Sequence, residues 1–144
     1  MKQQFEALVR AFCEAEQFAW PDILIDGEPV ELEGVEFSFL YDDEFAPDAM
    51  HLRVVFGPAP LKDETAIFQM LLNENHIGYL GEGPGFCVSP STGNVLYMLK
   101  LPLDQTTPEL LAATLVYFTE KVAEWRRTYF LPPPMARRHR LHFS

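Results

Sequence analysis

Length, composition and charge place the chain among small globular proteins with a single core. It has 144 residues, of which 48% are hydrophobic, and twelve phenylalanines supply large side chains for burial. No apolar run approaches the roughly 20 residues that span a bilayer, and the N-terminus lacks a signal-peptide pattern, so a cytoplasmic location is expected. The formal net charge is −10, and an acidic protein repels nucleic acids and anionic membranes, so neither is an expected partner.

The charge is unevenly distributed along the chain. All 21 acidic residues lie at or before Glu124, whereas the last nineteen residues carry five arginines and no acid. Three consecutive prolines from Pro132 onwards are expected to stop regular structure. The sequence therefore predicts one domain over residues 1–131, followed by a mobile Pro/Arg-rich tail over residues 132–144.

The first part of the chain predicts a helix followed by short extended segments. Residues 3–18 repeat apolar side chains at helical spacing, and Pro21 is expected to end this helix. Residues 23–25 and 30–32 are predicted to be short extended pieces. The helical stripe consists of Phe5, Leu8, Val9 and Phe12.

The middle of the chain alternates strands with a second helix. Residues 35–41 and 51–56 place apolar side chains at every second position, as a half-buried strand does. A second helix follows, with one broad apolar face formed by Ile67, Phe68, Leu71 and Leu72. Residues 86–88 and 95–101 are predicted to be two further strands.

The last helix has the clearest signals. Thr107 is the expected N-cap and Pro108 takes the first helical position. Its apolar stripe is formed by Leu111, Leu115, Phe118, Val122, Trp125 and Tyr129. The predicted class is therefore α+β in the order α-β-β-β-α-β-β-α, with helices packed on a mostly antiparallel sheet.

Residues with catalytic or metal-binding chemistry form no recognised pattern. His51 and His76 lie in no metal-ligand motif, and Cys87 has no flanking motif that would indicate a reactive thiol. The glycine-rich residues 81–85 lack the Lys-Ser/Thr pair of a phosphate-binding loop. We therefore expect no enzyme activity, no catalytic residue, no metal and no cofactor.

The predicted strands carry more apolar residues than one buried face needs. Leu96 and Met98 lie opposite the main apolar face of their strand, as do Leu40, Val55 and Cys87 in theirs. Two explanations remain open at this point. Either the last helix covers this second face, or part of the face meets a second subunit or a bound peptide.

The segment from residue 61 to residue 125 resembles the class I type III secretion chaperones, the CesT/Tir chaperone family of Gram-negative bacteria. The resemblance extends over roughly residues 3–129. Its motifs are Leu71-Leu72-Asn73 with Asn75, Gly85-Phe86, Pro90-Ser91-Thr92-Gly93, Leu101-Pro102-Leu103, Pro108-Glu109-Leu110-Leu111, and Phe118 with Trp125.

This resemblance implies a homodimer in the bacterial cytoplasm that binds the extended N-terminal segment of a secreted effector, keeps it soluble and helps present it to the secretion ATPase. The alternative is a small enzyme or ligand-binding domain on a similar scaffold. The implied dimer-interface residues are Ile67, Phe68, Leu71 and Leu72. The implied effector-groove residues are Phe5, Leu8, Phe12, Phe39 and Leu52.

Overall fold

The computed structural model describes residues 1–78 and 85–132, which form α-helices packed on an antiparallel sheet. The helices are α1 (Lys2–Ala15), α2 (Pro21–Ile25), α3 (Glu64–Gly78) and α4 (Pro108–Thr128). The strands are β1 (Val30–Leu32), β2 (Val35–Leu40), β3 (Ala49–Pro58), β4 (Gly85–Val88) and β5 (Asn94–Pro102). The predicted α+β class is confirmed, and the predicted order holds among the described residues with the short α-helix α2 and two single-turn 3-10 helices added.

The five strands are ordered β1-β2-β3-β5-β4, and each neighbouring pair is antiparallel. The long strand β3 lies in the centre, whereas β1 and β4 form the two edges. Edge strands leave backbone groups without a partner on one side. These two edges are therefore the places where the sheet could be extended.

One face of the sheet carries the core, because α1 and α4 both pack on it. Trp125 of α4 is fully buried in this packing. Three aromatic contacts between helix and sheet mark the face: Phe12–Phe39 at 5.6 Å, Trp125–Phe56 at 5.8 Å and Phe118–Tyr97 at 4.9 Å between ring centroids. Since α4 lies here, it does not cover the opposite face, which rules out the first of the two explanations for the extra apolar residues.

The prediction for residues 16–25 was wrong in detail. Helix α1 ends at Ala15, and Pro21 does not stop it but occupies the first turn of α2. Proline suits that position because its fixed φ is helical and its missing N–H would have had no helical partner. Asp22, in the same turn, pairs with Arg10 of α1 at 2.9 Å and so ties α2 to α1.

The prediction for the last helix is confirmed at both its start and its buried stripe. The Thr107 hydroxyl accepts a hydrogen bond from the Leu110 N–H at 3.1 Å, which caps the first turn. Tyr129 ends the helix in a left-handed conformation with φ of 52°. The stripe residues that are buried are Leu111, Leu115, Phe118, Val122 and Trp125.

Two predictions concern segments outside the described residues. The glycine-rich stretch 81–85 is described only at Gly85, and the tail is described only at Pro132. The domain boundary at residue 131 therefore stays a prediction. Within residues 1–78 and 85–132, none of the helices combines the length and apolarity that crossing a membrane requires.

Candidate partner-binding site

An apolar groove runs along the β1 edge of the sheet, where α1, α2 and α4 approach it. Its volume is about 190 Å³. The apolar lining consists of Phe12, Phe18, Leu24, Val30, Leu32, Phe37, Ala112, Leu115 and Val116. Val116 leaves 58% of its side chain exposed and Leu32 leaves 44%, so the groove is open to solvent. A groove of this kind can accept apolar side chains of a partner.

The backbone of β1 offers one N–H and one C=O group beside this groove, both at Glu31, to which no described residue outside the sheet bonds. Glu33 and Gly34 connect β1 to β2, and both have positive φ (51° and 80°), as the central residues of a type I′ hairpin turn do. Leu32, next to the turn, pairs directly with Val35. In such a ladder the N–H and C=O of Glu31 point away from β2. Among the described residues, no hydrogen bond outside the sheet occupies them.

Acidic residues border the groove, although the Glu31 side chain lies on the opposite face of the sheet from Val30 and Leu32. Glu16 and Glu31 line it directly. Glu31 also lies opposite Glu36 in the hairpin, and two like charges in that arrangement repel each other. Neither carboxylate of this cross-strand pair has an ion-pair partner within the part of the chain that the structure describes. A lysine or arginine from a partner would relieve this repulsion.

The five effector-groove candidates all lie in the core of the protomer. Phe39 and Leu52 are fully buried in the centre of the sheet, and Phe5, Leu8 and Phe12 form the buried side of α1. Phe12 also lines the groove, whereas Phe5, Leu8, Phe39 and Leu52 do not. Their role in effector binding stays a prediction, and Phe12 is the candidate that also lines the groove.

A second apolar groove, of about 250 Å³, lies between α3 and the opposite edge strand β4. Its lining includes Phe68 and Leu72 from the helix and Val88 from the strand. Asn75, at the end of α3, also lines it, and its side chain reaches across to the backbone of Phe86. Both edges therefore have an apolar groove, and among the described residues a side chain bonds to outward backbone groups at the β4 edge but not at the β1 edge.

The four dimer candidates divide between the core and the surface. Ile67 and Leu71 are buried in the protomer and Phe68 is half-buried, whereas Leu72 is 66% exposed. Helix α3 thus turns only part of its apolar surface towards its own sheet. The dimer assignment stays a prediction, for which Leu72 is the residue best placed to meet a second subunit.

The residues with possible catalytic chemistry are scattered. Cys87 is exposed on β4, whereas burial raises the pKa of the Cys13 thiol, which makes that thiol less reactive. Burial and the nearby Lys100 lower the pKa of His51, on the second face of the sheet. Within residues 1–78 and 85–132, no group of three or more His, Cys, Asp or Glu side chains could hold a metal ion.

Solved structures of secretion chaperones have the same fold. The Yersinia pestis type III secretion chaperone SycH, solved with a stable fragment of YscM2, is similar with a TM-score of 0.58 and 12% identity, covering 83% of this chain and 98% of that one. A chain of the ExsC–ExsE complex has a TM-score of 0.66 and 19% identity, covering 93% of this chain and 98% of that one. A chain of the HopA1–SchA chaperone–effector complex has a TM-score of 0.55 and 15% identity, covering 88% of this chain and 95% of that one.

Sequence comparison assigns the family. The model of the Tir chaperone protein (CesT) family matches residues 46–126, which is more than half of the chain. The protein therefore belongs to the CesT family of chaperones, and the resemblance predicted from its sequence is confirmed. A search of curated protein sequences found no match.

Sequence reasoning missed both the β1 groove and the position of Asn75. The groove depends on α2, whose residues 23–25 were predicted to be extended. Pro21 followed by Asp22 is a usual helix start and could have indicated it. No sequence signal predicts the contact between Asn75 and Phe86, because it joins two elements through a tertiary approach.

Proposed function

We propose that this protein is a type III secretion chaperone that binds the N-terminal segment of a secreted effector and keeps it soluble and competent for secretion. The observation that carries the proposal is the outer edge of β1, which no described residue pairs with, next to an open apolar groove. Membership of the CesT family supports it. Further support comes from the similar structures that hold a YscM2 fragment or the effector HopA1.

The outward backbone groups of β1 and the apolar groove beside them suit an extended polypeptide. The segment would pair with the outward N–H and C=O of Glu31 and so add a sixth strand to the sheet. Every second side chain of this strand would point towards the groove, because side chains alternate between the two faces. The remaining side chains would face Glu31 and Glu36, where basic residues are favoured.

A proline substitution at Glu31 tests this pairing. Glu31→Pro removes the outward N–H that the effector strand would use, while the direct pairs of Val30 and Leu32 with β2 are kept. One lost hydrogen bond, about 0.5–1.5 kcal/mol, together with the clash of the ring against an added strand, should weaken binding about ten-fold or more. The probe is a fluorescently labelled synthetic N-terminal segment of a candidate effector, and its binding is measured by fluorescence anisotropy.

Two outcomes separate the pairing from other effects. Glu31→Gln keeps the backbone N–H and serves as the matched control, so its affinity should change only through the lost charge. If Glu31→Pro stays folded and binds the segment as tightly as this control, the partner does not use the β1 edge.

We propose that the chaperone acts as a homodimer whose interface includes α3. The exposed Leu72 supports this proposal, because a large aliphatic side chain on a helix surface gains by burial against a second copy. Ile67, Phe68 and Leu71 would hold α3 in place beneath that surface. Sedimentation equilibrium of the purified chain at micromolar concentration tests it, and a folded monomer would contradict it.

The protein is further proposed to act in the bacterial cytoplasm, to hand its effector to the secretion ATPase, and to have no catalytic activity. The scattered positions of Cys87, His51 and His76 support the last point. Replacing all three by alanine should leave effector affinity within a few-fold. Loss of effector secretion in a folded triple variant that still binds the effector would instead favour a small enzyme on the same scaffold.

A further inference from the structure

We propose that Asn75 closes the β4 edge of the sheet, so that β1 is the edge that can accept an added strand. Asn75 Nδ2 donates a hydrogen bond to the Phe86 carbonyl oxygen at 3.0 Å, and Asn75 Oδ1 accepts one from the Phe86 N–H at 2.6 Å. One side chain thereby occupies the same two backbone groups that a neighbouring strand would use. The assignment of strand addition to β1 rests on the proposed function, whereas the closure of β4 does not.

The position of Phe86 in β4 gives these two bonds their effect. Strand β4 has four residues, and Gly85 and Cys87 alternate with Phe86 and Val88. Since the N–H and C=O of Phe86 reach Asn75, they point away from β5, and those of Val88 point to the same side. A strand that paired with Val88 would have to run past Phe86, where the Asn75 side chain already occupies the backbone groups and the space beside them.

The surroundings show why such closure matters. The groove between α3 and β4 is apolar and comparable in size to the groove at β1. The β4 edge therefore combines an edge strand with an apolar groove, as the β1 edge does. An exposed edge strand beside an apolar groove can pair with a strand of another chain. The Asn75 amide occupies the backbone groups of Phe86, whereas no described residue hydrogen-bonds to the outward backbone groups of Glu31 in β1.

Gly85 contributes to the close approach of Asn75. A Cβ atom at this position would lie 3.3 Å from Asn75 Oδ1, which is tighter than ordinary van der Waals contact. Glycine therefore lets the end of α3 come near enough for both hydrogen bonds. This is the role of a glycine where a side chain must approach a strand backbone.

The first measurement is amide hydrogen exchange of Phe86 in the full chain. Asn75→Ala removes both bonds, so exchange at Phe86 should accelerate at least about ten-fold. Asn73→Ala is the matched control, because Asn73 lies on the same helix with an exposed side chain and should leave that rate unchanged. An unchanged Phe86 rate in folded Asn75→Ala would show that Asn75 does not hold the edge.

The second measurement uses Cys87 as a built-in reporter of edge pairing. If two opened β4 strands pair antiparallel through Phe86 and Val88, the two copies of Cys87 lie directly opposite each other, where adjacent Cα atoms are within disulfide range. A mild oxidant should then cross-link Asn75→Ala but neither the wild type nor Asn73→Ala. Cys13 is buried and should not compete. Equal cross-linking in all three proteins, or in none, would overturn the proposal.

An aspartate substitution distinguishes edge closure from a general loss of packing. In Asn75→Asp, the neutral carboxyl group present at low pH can donate to the Phe86 carbonyl and accept from its N–H, as the amide does. When ionised, the carboxylate can only accept, and it repels that carbonyl. Cross-linking of Asn75→Asp should therefore fall on acidification relative to that of Asn75→Ala, and parallel pH responses of the two variants would contradict the proposal.

Discussion

Leu72→Glu is the sharpest test of how the subunits associate. Leu72 is 66% exposed in the protomer, so a second copy could bury about two thirds of a side chain that is worth roughly 1.5–3 kcal/mol when fully buried. That fraction is about 1–2 kcal/mol per protomer. A two-fold axis uses the contact twice, which gives about 2–4 kcal/mol for the dimer. Since about 1.4 kcal/mol is a factor of ten, the dimer Kd should rise at least about 30-fold.

The assay is sedimentation equilibrium over a concentration series, with circular dichroism to verify the fold. The contrasting variant is Ile67→Ala, since Ile67 is fully buried inside the protomer. It should lower the free energy of unfolding by about 2–5 kcal/mol through the cavity it leaves, rather than act at the subunit surface. If Leu72→Glu is folded and retains the wild-type dimer Kd, Leu72 is not at the interface and the reasoning fails.

Two further predictions concern the support of the β1 edge and the response to acid. Arg126 donates to the Phe56 carbonyl at 3.0 Å and to the Gly34 carbonyl at 2.9 Å, so Arg126→Ala should lower the unfolding free energy by about 1–3 kcal/mol in denaturant titrations. It should also accelerate amide exchange in the β1–β2 hairpin, and unaltered exchange there would contradict this role. The pKa of His51 is lowered in the folded protein, so the unfolded chain binds more protons as pH falls below about 6.5. The free energy of unfolding should therefore fall as the pH is lowered through that window. This pH dependence should be shallower in His51→Gln, and an equal pH dependence in the two proteins would refute the assignment to His51.

The parts of the fold that sequence predicts are those with local signals. The Thr107 cap, Pro108 and the spacing from Leu111 to Trp125 define α4 without reference to any other element. Strand β2 is likewise defined by its own alternation. Pro21 is ambiguous because a proline either stops one helix or starts the next, and the choice depends on whether a capped turn follows.

The functional surface depends on how the elements pack together, which the spacing of apolar residues along the sequence does not determine. Ile67 and Leu72 belong to the same apolar face by sequence, yet the placement of α3 beside β4 buries the first and exposes the second. Similarly, Phe12 and Phe39 are equally good candidates by sequence, although only Phe12 lines the groove. Which edge of a sheet is open follows from its strand order, and strand order is a global property.

The chemistry of the β1 groove predicts how effector binding responds to salt and temperature. Most of the contact area offered there is apolar, and a disordered segment must be ordered on binding, so the heat-capacity change should be strongly negative. Only the acidic rim is exposed to screening, so affinity should fall by about ten-fold or less between about 0.1 and 0.5 M salt. Glu16→Gln should flatten this salt dependence, whereas Val116→Asp should weaken binding at every salt concentration. Calorimetric titration of an effector segment measures both quantities. If affinity instead collapses by several orders of magnitude with salt while the heat-capacity change stays near zero, the acidic surface is the binding site and the groove is not.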